Sequence, residues 1–319
     1  TDSQVQAFAQ IGGTVYVGGN FTTVQKGASA TGSDSVAQPY LAAFDASSGA
    51  YIRSFTPQLN NQVKSLAALP NGKLAVGGEF TSVNGSARSG LVVLDPQSGA
   101  LDSSWTTNLV NKLTGGIVSV RGLDVGGSYL YLTGAFTHFA RPDGSERYAK
   151  GGARISLATG VVDSGWNPDF NGTGTAVDAS ADGTAVYFSG YFTAMKGGAV
   201  ADRAAAISTA SGAAKVASWQ PTFSTAGSAR SQQAGKQVGD KVWLGGSQPS
   251  MFAYDSSTFA LEKSHVTKDG GDFQSITGGN GLVFGGCHCE QWNYSDTTDF
   301  DHTTPGSTDI TWSQADKIY

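Results

Sequence analysis

Charged side chains are scarce in this 319-residue chain: Asp, Glu, Lys and Arg together make up 14%. Long solvent-facing helices and coiled coils draw on those residues, so the scarcity argues against both. Cysteine occurs only as Cys287 and Cys289, which by themselves do not set the redox compartment. No apolar run approaches the roughly 18 residues needed to span a bilayer, so direct membrane insertion is not expected. The leading residues lack a secretory signal pattern, and Thr1 reads as a mature or trimmed start. The formal net charge of −5 gives no electrostatic basis for nucleic acid or an anionic membrane as partner. Glycine, by contrast, is plentiful at 44 residues, alongside Ser, Thr, Ala and Asn. That composition suits many short strands joined by tight turns. A lysine-poor surface rich in Thr, Ser, Gly and Asn fits a secreted protein. The length allows one large domain or two ordinary ones, with a sizeable core in either case.

An internal repeat organises the chain. An apolar stretch ending in two small residues recurs as VYVGGNFTTV, LAVGGEFTSVNG, LYLTGAFTHF and VYFSGYFTAMKGG, then more weakly as VWLGGSQ and LVFGGCH. Anchored at Gly18, Gly77, Thr133, Ser189, Gly245 and Gly285, the intervals are 59, 56, 56, 56 and 40 residues. A second motif, as in YLAAFDASSGA and GLVVLDPQSGA, follows every anchor but the last. A third, such as GWNP or SWQP, closes the earlier units. Each unit therefore reads as four short strands. Strand A ends at a hairpin signal, and B ends at the small pair. C ends at Asp-x-x-Ser/Thr-Gly, and D leads into an aromatic residue. Four antiparallel strands per repeat of this length specify a propeller blade. The expectation is an all-β chain, one β-propeller over residues 1–319 with six blades. The sixth is incomplete because the sequence stops at DKIY, where its strand C should begin.

These repeats resemble the delta-60 repeat propeller, a domain of uncharacterised function in secreted and cell-surface bacterial proteins. The resemblance covers nearly the whole chain and implies an extracellular or cell-surface location. It supplies no catalytic residues. Units five and six depart from it: Ser247-Gln248 and Cys287-His288-Cys289 stand where the others have x-Phe-Thr or its equivalent.

Features present in most units are scaffold. Phe21, Phe80, Phe136 and Phe192 are expected between packed sheets. Trp105, Trp166 and Trp219 recur at one place and read as core rather than as carbohydrate platforms. The link between strands B and C varies most, and in an antiparallel unit all such links emerge at one end with the D–A connections. That loop-rich face is the expected interaction surface. Its main contributors are residues 22–40, 137–152 and 287–312. The binding candidates are Arg141, Asp143, Glu146, Arg147, Tyr148, Glu290, Trp292 and Tyr294, facing a glycan, a protein or a second copy of the chain.

Catalytic motifs are missing. No Ser/His/Asp order or nucleophile elbow stands out among His138, His265, His288 and His302. SADGTAVYF has the wrong spacing for a sialidase Asp box and reads as a turn. No catalytic residue is assigned, and no cofactor is expected beyond a candidate Ca²⁺ site at Asp296, Asp299 and Asp301. Cys287-His288-Cys289 admits a disulfide, free thiols, or zinc completed by His302 or Glu290. For an extracellular protein the disulfide leads: a bent backbone after two glycines can bring alternate residues within bonding range. The leading function is a non-enzymatic extracellular binding or structural module. The alternatives are a secreted carbohydrate-active enzyme using loop carboxylates, including Asp143, Glu146 and Glu290, and a metal-dependent oxidase with ligands from unit six.

Overall fold

The computed structural model describes residues 1–25, 35–219, 221, 231–247, 250–267 and 271–289, with the backbone of two further strands, Gln291–Ser295 and Thr311–Gln314. Glu290, Asp296, Asp299, Asp301 and His302 lie outside the described residues. The chain is all-β. Among the described residues its helical content is one 3₁₀ turn, Lys196–Gly198.

Two compact bodies divide the chain, Thr1–Asn167 and Pro168–Tyr319. The first holds three antiparallel three-stranded sheets built around a strand B, which lies in the middle of each. Unit one has A Val5–Ile11, B Thr14–Gly19 and C Leu41–Asp45. Unit two has Val63–Ala68, Leu74–Gly78 and Leu91–Leu94. Unit three has Ser119–Gly126, Tyr129–Ala135 and Gly152–Ser156. In the second body, unit four repeats the plan with Gly174–Ala179, Ala185–Gly190 and Ala204–Ser208. Unit five begins with Gln232–Val238, Lys241–Gly246 and Ser250–Asp255. It adds a full strand D, Leu261–Thr267, on which Gln291–Ser295 and then Thr311–Gln314 pair to give six strands. The A–B hairpin of unit six, Phe273–Gly279 and Leu282–Cys287, forms a two-stranded sheet.

Among the described residues, the expected fourth strand is therefore present only in unit five. In units one to four it shrinks to a single bridging residue, Tyr51, Leu101, Val162 or Lys215. The residue after each bridge still bonds strand C, as Ile52 N–H does to the Ala43 carbonyl at 2.8 Å. The chain then turns, and Asp102 and Asp163 cap that turn by accepting the Ser104 and Gly165 amides at 2.9 Å each. The turn drives Phe55, Trp105, Trp166 and Trp219 into the interior, with no more than 7% of any of them exposed. Burying an aromatic ring there outweighs extending a two-residue edge strand. Strand B supplies the partner ring in three units. Tyr16 meets Phe55 at 5.1 Å, Tyr131 meets Trp166 at 5.4 Å, and Tyr187 meets Trp219 at 5.6 Å. Phe21, Phe80, Phe136 and Phe192 are equally buried.

The Asp-x-x-Ser-Gly turn after strand C is built as its composition demands. One oxygen of Asp45 accepts the Ser47 and Ser48 amides, at 3.2 and 2.8 Å, and Asp95 and Asp255 repeat the pattern. Glycine then takes positive φ, +69° at Gly49 and +76° at Gly99. Unit five places Phe259 there at +59°, a strained backbone for a bulky residue. Its ring packs edge-on against Trp219 at 5.0 Å, which offsets the strain.

Strand A carries the same irregularity in all six units: a β-bulge near its start, opposite the small pair of strand B. The residues skipped by the ladder are Gln6, Lys64, Arg121, Thr175, Gln233 and Gln274, all polar. The bulge also sets the register. Gly18, Gly77, Thr133, Ser189 and Gly245 face Ala7, Ser65, Gly122, Ala176 and Ala234. In unit six the residue facing Ser275 is Gly286. The anchor of that unit thus lies one residue beyond Gly285, and Cys287 holds the place of the second glycine.

Candidate functional site

Because B runs antiparallel to both neighbours, the bulged start of A, the end of B and the start of C share one end of each sheet. The B–C links at that end are themselves structured. Four fold as two-stranded ribbons: Thr23–Gln25 with Ser35–Ala37, Ser82–Val83 with Ser86–Ala87, His138–Ala140 with Glu146–Tyr148, and Ala194–Met195 with Ala199–Val200. The links read from the sequence as loops are thus short hairpins projecting from the sheets.

The unit-three ribbon is the most elaborate. A third strand, Asn108–Val110, pairs along His138–Ala140. Phe139 is fully buried beneath and meets Phe136 edge-on at 5.6 Å, which fixes the ribbon to the core. Five of the expected binding residues come together here. The tip turns through residues 141–145, where Arg141 N–H donates to the Ser145 carbonyl at 2.9 Å. Asp143 accepts the Ser145 amide at 2.8 Å. Hydrogen bonding from Ser145 holds the Asp143 carboxyl below its usual range. Glu146 pairs with Lys112 at 2.6 Å. Arg147 is exposed, and so is Tyr148, at 41%, with its ring against His138 at 5.3 Å. Leu113 and Ile117, in the link that follows Val110, are more exposed still, at 59% and 69%. The ribbon therefore presents a tyrosine face and two guanidinium groups beside apolar side chains. Its two carboxylates are engaged in a turn and an ion pair. Trp292 and Tyr294 belong to a different sheet, opposite Thr267 and His265 in the ladder.

Two polar clusters at the bulged end were not singled out by the sequence reading. In the first body, the Gln62 amide donates to Glu79 at 2.7 Å, and Gln6 donates to Gln62 at 3.1 Å. Lys64 lies 3.6 Å from Glu79, and Ser119 donates to Glu79 at 3.1 Å. In the second body, Asp272 accepts Gln233 at 2.7 Å and Gln274 at 3.1 Å. His288 places Nδ1 2.8 Å from the other carboxylate oxygen of Asp272. Burial pushes the Asp272 carboxyl up, but hydrogen bonds from Gln274, Gln233 and His288 outweigh it and leave its pKa lowered. The sequence signal for these clusters is a polar residue at the bulge of each strand A: VQA, VKS, VRG, GTA, QQA and FQS. It emerges only when the units are aligned on the bulge.

Cys287 and Cys289 are joined as a disulfide, with Cα atoms 5.3 Å apart. The backbone amide of His288, between them, donates to the Asp272 carbonyl at 3.0 Å. Equivalent bonds hold Asn20, Glu79, Tyr191 and Ser247 to the residue before strand A in units one, two, four and five. That bond is scaffold, and side chains at the same two positions also meet in unit two, Gln62 with Glu79 at 2.7 Å, and in unit five, Ser231 with Ser247 at 2.9 Å. The disulfide belongs to unit six alone. Among the described residues, no three His, Cys, Asp or Glu side chains gather as a metal site. The proposed Ca²⁺ ligands, and the His302 or Glu290 that would complete a zinc site with His288, fall outside those residues.

No protein-family model matches the chain, and no curated protein matches it. Among solved structures, it is similar to the computationally designed Ika8 protein, with a TM-score of 0.51 and 14% identity over 89% of this chain and 68% of that one. At that identity the likeness concerns the fold alone.

Proposed function

We propose that the six units form a β-propeller of the delta-60 repeat type. Its role is that of a non-enzymatic extracellular binding or structural module, which presents the ribbon-bearing ends of its sheets to a glycan, a protein or a second copy of itself. The observation that carries this reading is the recurrence of a projecting ribbon at the same end of four sheets. The first strand of each ribbon follows the repeat and buries Val24, Val83, Phe139 or Met195, while the returning strands, SVA, SA, ERY and AV, and the tips differ. A rigid scaffold with variable projections is the usual construction of a recognition surface. The unit-three ribbon offers the right groups: an aromatic face for stacking and guanidinium donors for hydroxyl, carboxylate or amide oxygens. The carbohydrate-active alternative finds less support there, because Asp143 and Glu146 are already engaged with Ser145 and Lys112.

A glycan array probed with the full chain, run beside a hydrolysis screen of the same sugars and a sedimentation measurement, tests the proposal. Retention on a glycan, a protein or itself that falls at least about tenfold in Tyr148→Ala or Arg147→Ala, with unchanged melting, is the expected result. Turnover abolished by Asp143→Asn or Glu290→Gln would overturn it.

A further inference from the structure

We propose that Cys287–Cys289 is a redox-active disulfide that exchanges with a pair of cysteine thiols in a partner polypeptide. The site goes beyond the recognition role above and does not depend on it.

Three features separate this bond from a structural staple. It spans a single residue, and a crosslink restrains the unfolded chain least when the loop it closes is shortest. It also occupies positions that the scaffold fills without a crosslink. The place of Cys287 is glycine in the other five units, and that of Cys289 is a buried phenylalanine in units one to four. Finally, both cysteines are partly exposed to solvent, and exposed disulfides are the labile ones.

The surroundings equip the pair to open and close. His288, between the two cysteines, is tied to Asp272 twice, by its backbone amide at 3.0 Å and its ring at 2.8 Å. Asp272 is in turn held by Gln233 at 2.7 Å. The link between the sulfurs stays anchored when the bond is open, so the two thiols remain close enough to close again. His288 and Asp272 are positioning residues in this scheme.

Cys287 packs beside the buried cluster of Trp243, Met251, Ala253 and Phe273, which leaves Cys289 as the sulfur for an incoming thiolate. A thiolate of the partner attacks Cys289 Sγ, the Cys287–Cys289 bond breaks, and Cys287 departs as a thiolate that takes up a proton. The second thiolate of the partner then attacks its own sulfur in the mixed disulfide and releases Cys289, which is protonated in turn. Two electrons and two protons have passed to Cys287 and Cys289, and the partner has become a disulfide. Oxidised glutathione reverses the process on this chain.

The test uses the full chain in buffers of reduced and oxidised glutathione, quenched by alkylation and read by intact mass. Cys287–Cys289 is expected to interconvert reversibly between its two forms across millimolar glutathione ratios. With oxidised glutathione present, the chain should oxidise a reduced two-cysteine peptide at least about tenfold faster than the buffer does. Cys289→Ser should return that rate to the buffer value. His288→Ala should slow reclosure of the disulfide about threefold or more without moving the melting temperature. A bond that stays oxidised throughout the glutathione series overturns the proposal. So does peptide oxidation no faster than buffer. The Cys287→Ser, Cys289→Ser double variant gives an independent reading. Melting within about 2 °C of the parent is expected, and a large loss would mark the bond as a staple and also overturn the proposal.

Discussion

Replacing Gly78 by alanine probes the steric rule at the end of strand B. A Cβ on Gly78 would fall on the backbone carbonyl oxygen of Gln62, and would also lie 3.1 Å from Val63 Cα and from Phe80 Cδ1. None of these can retreat freely. The Gln62 carbonyl accepts the Glu79 amide at 3.0 Å, and Val63 and Phe80 are fully buried. The same conflict with a backbone carbonyl arises at Gly19, Gly134, Gly190 and Gly246. By contrast, the preceding position tolerates Thr133 and Ser189. Forcing one extra carbon into a packed site costs about 1–3 kcal/mol. At about 2–4 °C per kcal/mol for a domain of this size class, melting should fall by about 2–12 °C. The assay is tryptophan fluorescence against temperature, with Gly13→Ala as control, since nothing lies within 4 Å of a Cβ at Gly13. The control should stay within about 0.5 kcal/mol of the parent. If Gly78→Ala melts with the control, close backbone approach is not what requires the second glycine.

Trp166 is fully buried against Tyr131 and lies under the Arg154 guanidinium at 5.4 Å. Trp166→Ala should cost about 3–5 kcal/mol by chemical denaturation, whereas Trp166→Phe should cost less than half of that. The Asp95 carboxyl is held down to about 2, chiefly by its bond from Lys73 and then by the Ser98 amide. A folded-state pKa below the unfolded one gives stability that is present above about pH 4 and lost as pH falls towards about 2. Melting of the parent should therefore exceed that of Asp95→Asn at neutral pH, and the difference should shrink between pH 4 and pH 2.

Strands A, B and C were legible because their signals are local: an apolar run, a glycine pair, and an Asp-x-x-Ser-Gly turn whose oxygen and positive φ are set within five residues. Strand D was overestimated. Its residues read as extended, but burial of Phe55, Trp105, Trp166 and Trp219 pulls the chain into a turn after one bridge, a decision made by the tertiary core. The ribbons escaped notice because strands as short as Ser82–Val83 and Ser86–Ala87 carry no periodicity. The grouping of Arg141, Asp143, Glu146, Arg147 and Tyr148 followed from their closeness in sequence. The pairing of Asp272 with His288 did not, since 16 residues separate them and the bulge register brings them level. The same register displaced the unit-six anchor, which the pattern LVFGGC alone placed one residue early.

The bulge in strand A separates two kinds of information that most sheet positions carry together. A residue in a regular ladder is constrained by its cross-strand neighbour and by the face on which it falls, so its identity is largely dictated by folding. Gln6, Lys64, Arg121, Thr175, Gln233 and Gln274 stand outside that alternation. Amide, ammonium, guanidinium and hydroxyl groups succeed one another there while the strands on either side keep one register. Each is an address that can be rewritten without renegotiating the sheet. Because Lys64 bonds Gln6, and Gln233 and Gln274 share Asp272, the choice of residue at these positions answers to side-chain partners beyond the strand rather than to the strand's own ladder.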